Sequence, residues 1–238
     1  MAKKKFFLVI DVETTRGYDK NKKCYNLVYD CGFVVCDRMG HIYEQHSYIV
    51  RDIFRDENKM SSAYYATKIP TYKEGIKNGL HKEVSFAYIH KVIENIYEKY
   101  NISAICAYNA NFDKNALNST YHWFYKNIIS NFFPNDIEIN CIWNMATQVI
   151  CIKKSYIDFC VKNGYVTEKG NICTGAEYVY RFLTKDTEFQ EIHKGLDDVI
   201  IEVAIMANCY RQHKKMDKMP CGNPWKRVQE KYIEIYSE

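Results

Sequence analysis

The chain has 238 residues, 47% of them hydrophobic and 26% charged, enough for one full-sized α/β domain with little left over for a second. Its net charge of +4, from 33 basic and 29 acidic groups, permits a polyanionic partner without demanding one. The apolar run Phe6–Ile10 is cut off by Asp11, too short for a signal peptide (about 7–15 apolar residues) or a membrane span (about 20).

Ten cysteines without a signal peptide read as free thiols of a cytoplasmic protein, most of them small core residues. Cys141, Cys151, Cys160 and Cys173 lack the paired spacing of a zinc site, as do Cys209, His213 and Cys221, so we read no structural zinc.

In chain order, Phe6–Ile10 has the wholly apolar pattern of a strand buried on both faces. Cys31–Cys36 and His41–Val50 read as two further strands around the turn Asp37-Arg38-Met39-Gly40, giving the sheet an antiparallel opening. Residues 51–82 read as a polar, irregular stretch. A helix is expected from about Ser85 to Tyr100, with Ile89, Val92, Ile93, Ile96 and Tyr97 on one face. Ile102–Ala107 reads as a strand and Asp113–Lys126 as a helix. The stretch from Cys141 to Thr184 is helix-rich, and Thr174-Gly175-Ala176-Glu177 has the form of a capping box. Leu196–Tyr210, apolar almost all round, reads as a buried helix. The basic stretch Lys214–Lys231, with Pro220, Gly222 and Pro224, reads as a tail, either packed on the domain or partly loose.

Three short patterns carry chemistry. Asp11 and Glu13 follow the first apolar strand, and strand alternation points both to one face, about 6–7 Å apart. Two acids so placed repel unless a cation lies between them, and hard carboxylate oxygens suit Mg²⁺ or Mn²⁺; the equal alternative is a pair of solvated acids at a strand end. Asp113, in Asn109-Ala110-Asn111-Phe112-Asp113, is either a helix N-cap or a third ligand. Asn109 and Asn111 either bond a nucleotide or shape the turn. His193 precedes Gly195-Leu196-Asp197-Asp198, which puts it on a loop before a helix, either as a surface residue or as a general base with a pKa near neutrality.

In combination these patterns resemble the DEDDh, or DnaQ-like, exonucleases of the ribonuclease H-like fold. The resemblance runs from about Lys5 to Tyr210 and rests on Asp11-Val12-Glu13, on Asn109-Ala110-Asn111-Phe112-Asp113, and on His193 with Asp198 five residues on. It implies an α/β fold whose mixed sheet, antiparallel in its first three strands and then parallel, is flanked by helices. It also implies an exonuclease domain over residues 1–212, with 213–238 a basic tail packed on it. Asp11, Glu13, Asp113 and Asp198 would bind two metal ions, with Asp11 bridging them and His193 as the base. The family spacing favours Asp198 over Asp197. Val12, Thr14 and Thr15 would lie beside the terminal nucleotide, and Phe112 and Asn109 would contact it. Two departures bear on substrate choice: the family usually carries His where this chain has Tyr108, and Ala where it has Gly195. The implied activity is metal-dependent 3′→5′ removal of nucleotides from a free 3′ end. The rivals are an RNA-trimming enzyme, a catalytically silent binding module, and a proofreading subunit docked on a polymerase or other replication partner.

Overall fold

The protein, described by a computed structural model over residues 4–126 and 129–236, begins with three antiparallel strands: β1 (Phe6–Tyr18), β2 (Cys24–Asp37) and β3 (Ile42–Val50). The β2–β3 turn forms where the sequence placed it. Asp37 Oδ1 accepts from the backbone amides of Met39 and His41, and Gly40 takes the left-handed conformation that closes the turn, at φ +89°.

The first strand is much longer than Phe6–Ile10, so Asp11 and Glu13 lie in its middle rather than at its end. The apolar run marks only the part of β1 covered on both faces. Beyond it the strand continues on pairing with β2 alone, which begins at Cys24 rather than Cys31; polar side chains are no obstacle in a two-stranded arm that juts from the sheet.

Residues 51–82 are not irregular. They contain the short helices α1 (Arg51–Phe54) and α2 (Glu57–Met60), a 3₁₀ turn at Ala66–Lys68 and α3 (Ile69–Lys77); the first three are too short to display helical periodicity, whereas α3 sets Ile69, Tyr72 and Ile76 at helical spacing within an otherwise polar stretch. An edge strand, β4 (Lys82–Val84), pairs parallel with β3. Next, α4 (Phe86–Tyr100) starts where Ser85 Oγ accepts from Tyr88 N. It ends at Asn101 in the left-handed conformation. After β5 (Ala104–Ala107) comes α5 (Ala110–Phe124), then β6 (Glu138–Cys141), a strand that periodicity did not reveal because only two of its four residues are buried. The later helices are α6 (Ile142–Ala146), running into a π-helical turn at Thr147–Cys151, α7 (Lys154–Lys162), α8 (Ala176–Thr184), α9 (Gly195–Arg211) and α10 (Lys226–Tyr236).

The capping box at the start of α8 does not form. Thr174 Oγ1 instead accepts from Trp143 Nε1, and Glu177 is held by Arg181 and the Glu191 amide; the helix still starts at Ala176, behind Gly175.

The six strands lie in the order β4-β3-β2-β1-β5-β6, with β5 parallel to β1 and β6 parallel to β5. Alternation along β1 feeds two cores. Leu8, Ile10 and Val12 join Ile89, Ile93, Ile96 and Leu117 on one face. Phe7 and Val9 join Met145, Tyr156, Val199, Val203 and Met206 on the other. The second core also takes in Val228 of α10, and Gln229 of that helix accepts from Ile172 N. Seven of the ten cysteines are buried and all ten are free thiols. No helix among the described residues is long and apolar enough to cross a membrane.

Candidate active site

β1 and β5 are parallel, but their pairing ends at Val9↔Cys106. From Ile10 onward one edge of β1 is therefore open, at the C-terminal ends of two parallel strands, where open α/β sheets form their clefts. Asp11 and Glu13 stand on the Phe7–Val9 face of that edge, towards α9. From the other face α5 brings Asp113, 3% exposed, whose Oδ1 accepts from the Val12 amide at 3.2 Å. Asp113 is therefore no N-cap; it lies in the first turn of α5 behind Asn109, and it satisfies an amide that the missing β5 partner leaves free. α9 brings Asp198 in its own first turn, with His193 on the loop before it. All five residues line one cleft of about 740 Å³. Asp197 points away and is exposed.

A fifth carboxylate is present that the sequence patterns did not flag. Glu202 lies one turn beyond Asp198 on α9, is 3% exposed and lines the same cleft. A lone acid four residues after Asp198 in an otherwise apolar helix was the available sign, because an i,i+4 pair shares a helix face.

So many carboxylates in one buried place raise each other's pKa. Burial, then Asp113, Glu202, Asp198 and Glu13, hold the Asp11 carboxyl well above its ordinary range. Burial, then Asp30 and Asp198, push Glu13 up to about 9. Asp198 rises to about 8 through burial and Glu191, Asp113 to about 7 through burial, and Glu202 well above normal through burial and Asp113. Lys68 is the cation that offsets Glu13. Burial and Lys68 together lower the His193 pKa, favouring a neutral imidazole.

Such a site fits divalent cations. Among the described residues, Asp198 Oδ1 and Glu202 Oε2 are buried without a hydrogen-bond partner, a costly state that a cation relieves. Among the described residues, ligand atoms of Glu13, His193 and Asp198 lie within 4.8 Å of one another. The donors are chiefly hard oxygens, as Mg²⁺ and Mn²⁺ prefer.

No family model and no curated protein matches the sequence, but solved structures match the fold. The nuclease domain of 3′hExo, a DEDDh family member bound to rAMP, superposes with a TM-score of 0.57 at 13% identity, over 92% of this chain and 99% of that one. A 3′-exonuclease that recognises the 3′ end of the histone mRNA stem-loop gives 0.57 at 9% identity, over 92% and 87%. E. coli exonuclease I bound to a 5cy-dT13 oligonucleotide gives 0.55 at 12% identity, over 89% of this chain and 41% of its own. The chain thus spans under half the length of that enzyme. The fold is that of the DnaQ-like exonucleases.

The remaining candidate residues can be placed in this DnaQ-like frame. Thr14, Asn109 and Phe112 line the cleft, with Asn109 and Phe112 exposed at its rim. Val12 is buried and gives its amide to Asp113. Thr15 also lines the cleft, but its hydroxyl is engaged, donating to Lys59 O and lying 3.0 Å from Ser62 Oγ. Asn111 faces a different groove, beside Lys114 and Asp217. Tyr108, which departs from the usual His, turns its hydroxyl away from the acids to donate to Thr174 O at 2.6 Å. The other departure, Gly195, has a steric reason here. A Cβ on it would meet Gly32 N at 2.6 Å and Asp11 O at 3.0 Å, because α9 approaches the sheet backbone to backbone.

Three further residues hold the loop that carries His193. Tyr65 stacks on the imidazole, with ring centres 4.5 Å apart and planes 13° from parallel. Lys68 lies over the Tyr65 ring and donates to Ile192 O. Asp30, an acid inside an otherwise apolar run of β2, accepts from the Gly195 amide at 3.0 Å and from the Tyr72 hydroxyl at 2.6 Å. It does for α9 what an N-cap side chain would do, since Lys194 offers none. His193 itself sits at φ +52°, a conformation that non-glycine residues hold only under constraint. Tyr72→Phe is expected to cost about 1–3 kcal/mol, because it leaves a buried carboxylate short of a donor. Urea denaturation measures this, and a stability equal to that of the parent would show that Asp30 does not depend on the Tyr72 hydroxyl.

Proposed function

We propose that the protein is a metal-dependent 3′→5′ exonuclease that hydrolyses phosphodiester bonds from the 3′ end of single-stranded DNA or RNA and releases nucleoside monophosphates. The observation that carries this proposal is the convergence of Asp11, Glu13, Asp113, Asp198 and Glu202, with His193, in one cleft along the open edge of β1. The DnaQ-like fold is a second support.

Two ions, Mg²⁺ or Mn²⁺, would be held by Asp11, Glu13, Asp113 and Asp198. When bound they would supply charge stabilisation at the attacking and leaving oxygens of an in-line displacement. The chain's own part is to place the strand and move a proton. Phe112 offers a face on which a terminal base can stack without regard to sequence, and Asn109 and the backbone of Val12 to Thr15 border the sugar and its 3′ hydroxyl. His193, kept neutral by burial and by Lys68, takes a proton from the attacking water. The water oxygen bonds to phosphorus as the bond to the preceding 3′ oxygen breaks. That oxygen takes up a proton and becomes the new 3′ end, and the mononucleotide leaves carrying the phosphate.

The decisive experiment incubates the protein with 5′-labelled single-stranded DNA and with RNA of the same sequence, in Mg²⁺, Mn²⁺ or EDTA. A ladder shortening from the 3′ end only with metal is the expected result, and the faster strand identifies the substrate. No shortening of either strand in either metal would overturn the proposal. For His193→Ala the expected rate loss is about 10²–10⁴-fold.

The raised carboxylate pKa values make a separate prediction that needs no substrate. Each of these acids has a folded pKa above its unfolded value of about 4, so without metal the folded state binds extra protons. Its stability therefore falls as pH rises, with the losses completed as pH passes about 7 for Asp113, about 8 for Asp198 and about 9 for Glu13. Melting in EDTA should move to lower temperature across that interval, and the increment from added Mn²⁺ should widen over it. An increment that does not change with pH would count against a cation among these acids.

A further inference from the structure

Beyond Glu13 the sheet narrows to a two-stranded arm in which β1 and β2 pair from Thr14↔Val28 to Tyr18↔Cys24. Its turn is built closely, with Asp19 Oδ1 accepting from the amides of Asn21 at 2.8 Å and Lys23 at 3.0 Å. Between this arm and the last turn of α5 lies a second groove, of about 720 Å³, lined among others by Tyr18, Lys20, Lys23, Tyr25, His122 and Trp123. Tyr18 lines both this groove and the acidic cleft, and Arg16 lies between them on the cleft wall. The two hollows therefore abut.

Charge reverses from one to the other. The cleft is crowded with carboxylates, whereas Arg16, Lys20 and Lys23 are exposed and form no ion pair among the described residues. Asp19 is the one acid lining the groove among the described residues, and its Oδ1 is held in the turn by the amides of Asn21 and Lys23. Aromatic rings alternate with the lysines: Tyr18 is 58% exposed, while Tyr25 and Trp123 are half-buried and meet edge to face at 5.4 Å, with Lys23 over the Tyr25 ring and Lys59 over that of Trp123. Cations for the backbone interleaved with rings for the bases is the composition of a single-strand track. A duplex would keep its bases stacked on each other and leave the rings unused.

We propose that this groove binds the single-stranded nucleotides upstream of the one being removed, so that the arm makes the protein a reader of strand length. The proposal rests on the exonuclease function above for which end of the strand enters the cleft. Glu13 to Tyr18 spans roughly 17 Å of strand, which corresponds to about five stacked nucleotides. Shorter strands would fill the cleft without reaching the lysines.

The test measures binding and shortening separately, using single-stranded DNA of about three and about twelve nucleotides. Affinity is read by fluorescence anisotropy in EDTA with Lys20→Ala/Lys23→Ala and with Tyr18→Ala; the lysines are exposed, so their removal leaves no cavity. The parent should bind the long strand more tightly than the short one. The double variant should lose about tenfold or more of the long-strand affinity, and its salt dependence should flatten by about 1.4 in log–log slope. Tyr18→Ala should lose about fivefold or more. Variants that bind the long strand as well as the parent, or a parent that does not distinguish the two lengths, would overturn the proposal. Length-dependent binding lost in the variants, in a protein that shortens no strand, would uphold the groove and overturn the exonuclease. Shortening with no effect of the variants on binding would do the reverse.

Discussion

Asp11→Asn is expected to lower strand shortening by roughly 10³-fold or more while making the metal-free protein more stable. The two effects have one cause. Asp11 is the acid on which the others press: Asp113, Glu202, Asp198 and Glu13 all raise its pKa, on top of burial. Its amide counterpart has nearly the same shape and no charge, so the repulsion that metal would otherwise relieve is reduced. In a chain of this length each kcal/mol so gained raises the melting temperature by about 2–4 °C. The increment from added Mn²⁺ should shrink in the same variant. An Asp11→Asn protein that still shortens strands within about tenfold of the parent would remove Asp11 from the metal site. Lost activity together with a lower melting temperature in EDTA would mean that the acid supports the fold instead. A gain of stability on removing a functional charge is the usual sign of a site built for activity at the expense of the apo fold.

Gly32→Ala should damage the protein most severely among single changes away from the acids. A Cβ on Gly32 would run into the backbone of Gly195 and Leu196, where no flexible side chain can yield. The start of α9 would have to withdraw from β2. Overpacking of this kind costs about 1–3 kcal/mol and sometimes more; with backbone on both sides, we expect the upper end, or about 6–12 °C in melting temperature. The same displacement shifts Asp198 and His193, and a shift of about 1 Å at catalytic groups lowers rates by about 10²-fold. Gly195→Ala should do the same from the other side of the contact, since its Cβ meets Gly32 N and Asp11 O. Thermal melting and the strand-shortening assay measure both consequences. A Gly32→Ala protein with the parent's melting temperature would show that helix and sheet can separate there without cost.

Much of the sheet was legible because burial on both faces leaves an unbroken apolar run, as in Phe6–Ile10, and because the Asp37–Gly40 turn carries its own chemistry. The helix after Ser85 was legible for a similar reason, from its one apolar stripe. Short elements were not: α1, α2 and β4 span too few residues for either period to register, and β6 buries only two side chains. The capping box failed because Thr174 and Glu177 found distant partners, Trp143 and the Glu191 amide, that no local pattern reveals.

The same division holds at the cleft. The sequence by itself determined which acids stand near each other along the chain, since strand alternation puts Asp11 and Glu13 on one face and helix geometry puts Asp198 in the first turn after His193. Only the tertiary structure decided that β5 stops pairing at Val9, which opens the edge of β1 and lets Asp113 reach the Val12 amide. The choice of Asp198 over Asp197, which the spacing of the resemblance favoured, is seen in the structure as one side chain turned into the cleft and the other to solvent. The tertiary structure alone added Asp30 and Tyr65, whose partners are far away in sequence. The physical reason is the range of the forces involved. Periodicity and capping act within a turn or two of chain, whereas the repulsion among buried carboxylates and the backbone contact of Gly32 with Gly195 arise only once a sheet and two helices have been brought together.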